Sequence, residues 1–379
     1  MRISVIVPSF YPAVYYGGTI FSIHESLKLL SNQGFEVYVS TTSANGNKRL
    51  NVKKNKFIKF KKNYYVKYYF DEIINRFSFS FLFGIWNDIK KSDVVYVQDI
   101  FSIFAIIAFI ASNVYKKKCL IAPRGSLSKY GLNNKLYFLK KLWIYIFLKL
   151  LNKNYNWHLT SEMEKKEINN LGLRGKKYII ANYIKFNLRK IKTIKALNWL
   201  DKDSKKIKIG VLTRIDKKKG LNKLIKAIII LVKDMDVHLA ICGEDHGEKK
   251  NLILLVKKMN LQKNVSFLEP MYGLKKYKFL KSLDVFCLPS ENENFGNVYL
   301  ESLRVGTPVI ASKFTPWYKV KKYKCGLVTN NKINNIVNNI KKIINNKKFF
   351  NKKNCQNLAD VYSEVNITNS YLKMFKELN

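Results

Sequence analysis

Short apolar runs at 3–8, 36–41, 94–98 and 120–123 alternate with segments of helical spacing, and the same cadence restarts at 207–212, 237–243, 265–268, 285–289 and 308–312. Runs that are apolar at nearly every position, rather than at every second one, belong to strands covered on both faces, the condition of a parallel sheet wrapped by helices. The first forty residues show the unit. A strand at 3–8 leads through a loop containing Gly17 and Gly18 into a helix with Ile20, Ile23, Leu27 and Leu30 on its apolar positions, then a stop at Gly34 and a strand at 36–41. The second series repeats the pattern with a helix at 221–233, where Leu224, Ile225, Ile228 and Leu231 share a face, and further helices at 250–259 and 274–283. Between the series, the charged segment 188–206 has no clear period and reads as a linker. The expected fold is α/β, two Rossmann-like doubly wound domains facing across a cleft, with ligands beyond the carboxyl ends of the strands. A length of 379 residues suits two domains. The division is expected at 1–190 and 206–365, with a closing helix at 366–379 returning to the first domain. The Asn- and Lys-rich stretch 332–351 keeps Ile333, Ile336, Ile340 and Ile343 in helical register and is read as helix.

Composition enters as a warning. The formal net charge of +43 invites a nucleic-acid or membrane reading. Yet only eight of the 69 basic residues are Arg, and the rest are Lys in a chain uniformly rich in Lys, Asn, Ile and Tyr, which is the mark of a compositional background. No aromatic-interleaved basic repeat supports specific nucleic-acid binding. Hydrophobic residues at 47% exclude global disorder and a fibrous fold. Cys119, Cys242, Cys287, Cys325 and Cys355 form no CxxC pair, which argues for a reducing compartment and against a zinc site or disulfide framework. No secretory signal is read at the start, and 100–115, at 16 residues, is too short to span a bilayer and reads as a buried helix.

The glycines form neither GxGxxG nor GxxxxGK[ST], so phosphate must be held in another way. The strongest chemical signal is PSENENFGNVYLESLRVGTPVIAS at 289–312. A strand ends at Pro289, a polar loop follows, a short helix runs over 297–304, and Gly306 stops it. Glu293 precedes the helix and Glu301 projects from its body, while backbone N–H groups of Phe295, Gly296, Asn297 and Val298 offer an anion site at the helix start. Such an arrangement suits a diphosphate between two hydroxyl-rich ends, as in a nucleotide sugar.

On these residues the chain resembles the retaining glycosyltransferases of family 4, the glycosyl transferases group 1 superfamily of GT-B fold, over nearly its whole length. The E-x7-E pair, Glu293 and Glu301 inside PS-x-x-E-x-F-G, carries most of the resemblance. It implies that Glu293 lies by the donor sugar and Glu301 binds the nucleotide ribose. A second segment, GVLTRIDKKKGLNKLIKAI at 210–228, resembles the family's G-R-x4-K-G pattern, with Thr213 where Gly is usual. The resemblance gives Arg214 and Lys219 the donor diphosphate and the charge of the leaving group. Arg is rare here, so Arg214 is informative where a lysine run is not. The Gly17-Gly18 turn resembles the family's glycine pair facing donor phosphate and acceptor, although a plain helix-entry turn fits it nearly as well. APRGSLSKYG at 122–131 resembles the PRGML-like loop of bacterial surface-polysaccharide members, with Ser126 in place of Met, and would direct Arg124 towards the acceptor. WHLTSEMEKKEI at 157–168 resembles the family's TSxxE helix start; Thr160 or Ser161 caps it, Glu164 lies in the first turn, and His158 is placed on the acceptor side, as a cleft-wall or core residue.

Two DxD look-alikes, Asp234-Met235-Asp236 and Asp201-Lys202-Asp203, read as solvated turns, so neither a metal site nor another cofactor is expected. The stretch 134–151 mixes Lys140, Lys141 and Lys149 with Phe138, Trp143 and Phe147. It reads equally as a surface for anionic lipid and as a helix packed on the sheet. The function implied is transfer of a sugar from a UDP- or GDP-linked donor to a glycan or polyprenyl-linked glycan acceptor. The setting is lipopolysaccharide, capsule or exopolysaccharide synthesis, in the cytoplasm or peripherally on the inner face of its membrane. An epimerase-like sugar-nucleotide enzyme and a basic nucleic-acid-binding protein are the alternatives.

Overall fold

The computed structural model describes residues 1–70, 77–133, 136–150, 155–186, 193–200 and 205–378. The chain divides into two compact units, one of Met1–Lys185 with Glu364–Asn379 and one of Phe186–Ser363.

The first unit is built on an eight-stranded sheet. Its order is Lys177–Ile179, Tyr155–Leu159, Lys118–Ala122, Val94–Gln98, Arg2–Ser9, Glu36–Thr42, Tyr64–Tyr69 and Phe57–Lys61. All neighbours are parallel except the last pair. Alternate residues of the central strand serve two cores. Ile3, Val5 and Val7 pack with Ile23, Leu27 and Leu30 of helix Gly18–Asn32 and with Tyr371, Met374 and Phe375 of helix Glu364–Leu378. Ile6 packs on the other face with Phe81, Ile85 and Ile89 of helix Phe79–Lys90 and with Phe104, Ala105 and Ala108 of helix Ile103–Val114. Both faces are buried, which explains why the strands read as continuous apolar runs. The uncharged stretch 100–115 holds a 12-residue helix capped by Ser102, and no described helix is long and apolar enough to cross a membrane.

One feature of this unit differs from the sequence expectation. The edge hairpin Phe57–Lys61 and Tyr64–Tyr69 lay in a segment given no strand. Its lysines mask an alternation in which Tyr64, Val66 and Tyr68 point inward and are fully buried, with Asn63 taking φ +59 at the turn. The stretch 134–151, of which 134, 135 and 151 lie outside the described residues, forms helix Tyr137–Trp143 and a wider helical turn over Ile144–Leu150. None of the seven residues of that helix is buried, and Ile144 and Leu148 alone are buried among the described side chains that follow it.

The second unit carries six parallel strands in the order Val265–Leu268, Val237–Cys242, Ile207–Leu212, Val285–Leu288, Val309–Ser312 and Gly326–Thr329. That is the doubly wound 3-2-1-4-5-6 arrangement, whose order reverses between Ile207–Leu212 and Val285–Leu288. Loops leaving the carboxyl ends of those two strands are therefore neighbours. Leu224, Ile225, Ile228 and Leu231 of helix Leu221–Leu231 and Ile336, Ile340 and Ile343 of helix Ile333–Asn345 are all buried. Part of the segment read as linker is structured. The Leu197 N–H donates to the Lys278 carbonyl (2.9 Å) and the Trp199 indole to Ser282 Oγ (2.7 Å), so 193–200 lies against helix Gly273–Lys281.

Candidate functional site

At the switch point of the second unit, strand Ile207–Leu212 gives way to a loop through Arg214 to Gly220. Ile215 is fully buried and anchors it, and the Asp216 side chain accepts from the Lys218 N–H at 3.0 Å. Gly220 then opens helix Leu221–Leu231 at φ +65; a Cβ there would stand 2.3 Å from the Pro289 carbonyl oxygen. Only glycine permits both that conformation and that approach. The two loops are stitched by the Glu291 N–H donating to the Lys218 carbonyl at 2.8 Å. The second loop ends at Gly296, φ +74, which starts helix Asn297–Val305 without a side-chain cap; Gly306, φ +92, ends it.

This stitching brings Lys219 to Glu293. Lys219 is 6% exposed, and its ammonium donates to Glu293 Oε1. A pair of this kind costs desolvation, which the mutual attraction of ammonium and carboxylate offsets. Beside it, Lys218 is held below its ordinary pKa, first by burial and then by repulsion from Lys219 and Arg214. Among the described residues, Arg214 has no ion-pair or hydrogen-bond partner. The local balance, Arg214, Lys218 and Lys219 against Asp216 and Glu293, leaves positive charge next to a helix N-terminus, and both features favour an anion. On the helix itself Glu301 is 6% exposed and one of its oxygens accepts from Lys276 of helix Gly273–Lys281. Phe295 is a core residue, packed on Trp317 and Tyr362, so its backbone rather than its ring is available to a ligand.

The first unit places the other sequence-predicted residues in its own frame. Gly17, φ +78, precedes helix Gly18–Asn32, again without a side-chain cap. Arg124 follows strand Lys118–Ala122 at φ +53, with Nε donating to Gln98 Oε1 (2.9 Å) and Nη1 to Asn182 Oδ1 (2.8 Å). The next peptide N–H, of Gly125, donates to Glu164 Oε1 at 2.7 Å. Glu164 also accepts from the Thr160 N–H (2.7 Å) and hydroxyl (3.0 Å). Burial still raises its pKa, the hydrogen bonds and Arg124 opposing. Ser161 caps the helix Glu162–Asn170, accepting from the Glu164 N–H at 3.2 Å.

His158 is a core residue and offers an acceptor nothing directly. It is 1% exposed, with Nδ1 against the Tyr96 hydroxyl and Nε2 against the Ile180 carbonyl (2.8 Å), and burial holds its pKa well below the ordinary range. Of the DxD look-alikes, Asp234 pairs with Lys341 and Asp236 lies 3.8 Å from Lys206, while Asp201 and Asp203 lie outside the described residues. Sequence reading missed Lys276, Gln98 and Asn182. A single lysine among 61 carries no signal, and the two amides act only through partners distant in sequence.

Residues 195–359 match the Glycosyl transferases group 1 family. The D-inositol 3-phosphate glycosyltransferase of Corynebacterium urealyticum is 33% identical over 112 residues, 28% of this chain and 26% of that protein. The O-antigen biosynthesis glycosyltransferase WclY of Escherichia coli is 30% identical over 243 residues, 59% of this chain and 62% of that protein. The matches thus span less than two thirds of either relative. Among solved structures, Anabaena Alr3699/HepE in complex with UDP superposes with a TM-score of 0.77 at 18% identity, covering 100% of both chains, and its complex with UDP-glucose with a TM-score of 0.75. The family match covers residues 195–359, less than half of the chain, and the two parallel-sheet units have the GT-B glycosyltransferase fold.

Proposed function

We propose that this chain is a retaining glycosyltransferase of family 4 that moves a sugar from a UDP- or GDP-linked donor to a hydroxyl of a glycan or polyprenyl-linked glycan in bacterial surface-polysaccharide synthesis. The observation that carries the reading is the Lys219–Glu293 pair ahead of a helix with no side-chain cap, with Arg214, which has no partner among the described residues, close enough to act on the neighbouring Lys218. Cation, carboxylate and helix N-terminus are what a diphosphate flanked by a sugar requires. Support also comes from WclY, named for O-antigen biosynthesis, and from HepE, solved with UDP and UDP-glucose.

In this reading the bond from the anomeric carbon to the diphosphate oxygen breaks, and the acceptor oxygen bonds to the same face of that carbon. The acceptor proton passes to the departing phosphate, so no side-chain base is assigned. Arg214, Lys219 and the N-terminus of helix Asn297–Val305 offset the charge gathering on the leaving group. Glu293 orients the donor sugar and Glu301 the ribose, and no metal is assigned. Gly17 and Gly18 admit the phosphate closely, and Arg124, fixed by Gln98 and Asn182, takes the acceptor side.

A peripheral position on an anionic membrane belongs to the same proposal. Leu136, Phe138, Leu139, Leu142 and Tyr145 are 67%, 83%, 60%, 54% and 56% exposed, with the exposed Lys129 and Lys141 beside them. Apolar anchors next to lysines are the composition of an interfacial helix.

A thermal-shift screen against UDP, GDP, ADP and their sugars tests the donor. Stabilisation by one nucleotide family is expected, followed by release of that nucleoside diphosphate and an anomer of unchanged configuration when acceptor is supplied. Stabilisation by none of them, or an inverted product, overturns the reading.

A further inference from the structure

The carboxylate of Glu301 is half used. Lys276 holds Oε1, while Oε2 has no hydrogen-bond partner among the described residues and is not among the atoms sealed from solvent. The Glu301 side chain is 8% exposed, so the oxygen it leaves uncommitted and open to solvent is placed to accept from a ligand. Lys276 is singular in its own helix. Lys275 and Lys278 on the same helix are exposed, and Lys281 donates to the Ile194 carbonyl. Lys276 instead turns against the neighbouring helix Asn297–Val305, its ammonium lying 5.0 Å from the Tyr277 ring centre.

We propose that Lys276 is the positioning residue for ribose recognition, clamping one oxygen of Glu301 so that the other is presented to the sugar hydroxyls of the nucleotide. The proposal rests on the nucleotide-sugar reading above and adds to it the residue that makes Glu301 selective. Lysine suits the task for a geometric reason. Its compact ammonium satisfies a single oxygen, whereas the planar fork of an arginine matches both oxygens of a carboxylate and would leave none for a ligand. Without the clamp, the Glu301 side chain is free to rotate and its acceptor oxygen is no longer aimed. Lys276 touches no substrate in this scheme and acts through Glu301 alone.

The test is the discrimination between a ribonucleotide and its analogue lacking both ribose hydroxyls, measured by calorimetry on the purified full chain. UDP and 2′,3′-dideoxyuridine diphosphate serve as probes, or the guanosine pair if GDP is the nucleotide bound. In the unaltered protein the ribonucleotide is expected to bind at least about tenfold more tightly, the scale of one hydrogen bond to a charged group. Lys276→Met is expected to bring the ratio below about threefold, while affinity for the dideoxy probe changes little. A merely structural lysine would weaken both probes together and leave the ratio alone. Lys275→Met serves as the exposed control and should keep the ratio. If Lys276→Met does not fold, Lys276→Gln, which retains a donor but not the charge, is measured in its place, with a reduced ratio again expected. A ratio that collapses in Glu301→Gln but stands in the Lys276 variant overturns the clamp and leaves the donor reading intact. A ratio unchanged in Glu301→Gln, or binding of neither probe by the unaltered protein, overturns the ribose role of Glu301 and the clamp with it.

Discussion

Glu164 of the first unit and Glu293 of the second lie in similar local settings. Each is a carboxylate near a helix start, after a strand of a parallel sheet, and each is largely buried. Their partners differ. Glu164 receives two peptide N–H groups and a hydroxyl, so both oxygens are spent on holding the Arg124–Gly125 turn and the Thr160 corner. Glu293 has one oxygen on a lysine, and that lysine is itself a group able to bind phosphate. A carboxylate saturated by its own backbone is scaffold. One held by a single lysine can exchange that partner for a ligand.

The comparison predicts opposite outcomes for two substitutions. Glu293→Gln is expected to lower kcat by about 100- to 1,000-fold, the scale for losing a charged group at a developing charge, with the melting temperature nearly unchanged. Glu164→Ala is expected to do the reverse. Three donors lose their acceptor, which costs about 3 kcal/mol and several degrees of melting temperature, while residual activity per folded molecule stays within a few-fold. Steady-state transfer and thermal melts on both variants check this. A Glu293→Gln protein with full activity, or a Glu164→Ala protein that melts normally, breaks the distinction.

A weaker effect is expected at the exposed helix. If its apolar residues are scaffold in the sense of Glu164, removing them destabilises the fold; if they are poised for a partner, it does not. Phe138→Ser is expected to lower partition onto vesicles containing anionic lipid by about tenfold, with an unchanged melting temperature. Binding to those vesicles should fall as salt rises. Equal binding to neutral and anionic vesicles removes the anionic surface from the proposal, and binding to neither removes the membrane.

The same contrast explains what the sequence discloses. Parallel strands are legible because burial on both faces leaves uninterrupted apolar runs, as at 237–242 and 285–288, and helices because one face repeats at 3.6 residues, as in Ile336, Ile340 and Ile343. The hairpin at 57–69 is harder, since lysines occupy its outer face and tyrosines its inner one. Strand Gly326–Thr329 has only four residues and carries little pattern. Within the site, Glu293 stands out through its spacing to Glu301, and Arg214 because arginines are scarce in this chain. Lys219 is visible only through its spacing to Arg214. Lys276 is not visible at all: its meaning lies in a partner 25 positions away on another helix, and in a background of 61 lysines nothing marks it. Glu164 was legible as a helix-start residue but not as the anchor of the Arg124 turn, since that contact joins segments 39 positions apart.

The smallest expected effect concerns protons, and it extends the contrast to histidine. His24 of the first unit is closed in like Glu164, with Nδ1 against the Tyr64 hydroxyl at 2.9 Å and its ring stacked on Tyr11 at 4.3 Å. Burial, with help from Lys28, lowers its pKa to about 4. Unfolding frees it to bind a proton near its ordinary value of 6.5, so between those limits the unfolded chain holds more protons than the folded one. The stability His24 contributes is therefore complete above about pH 6.5 and is lost as pH falls towards 4, at roughly 1 kcal/mol per pH unit. His24→Phe keeps an aromatic ring against Tyr11 and cannot titrate. Denaturant melts of the two proteins between pH 7 and 4.5 should show the shallower decline in the variant; a residual slope is expected from His158, whose pKa is lowered in the same direction. Parallel declines in the two proteins would mean that His24 is hydrated and can take up a proton in the folded state, and the first unit would then be less closed than the saturation of Glu164 implies.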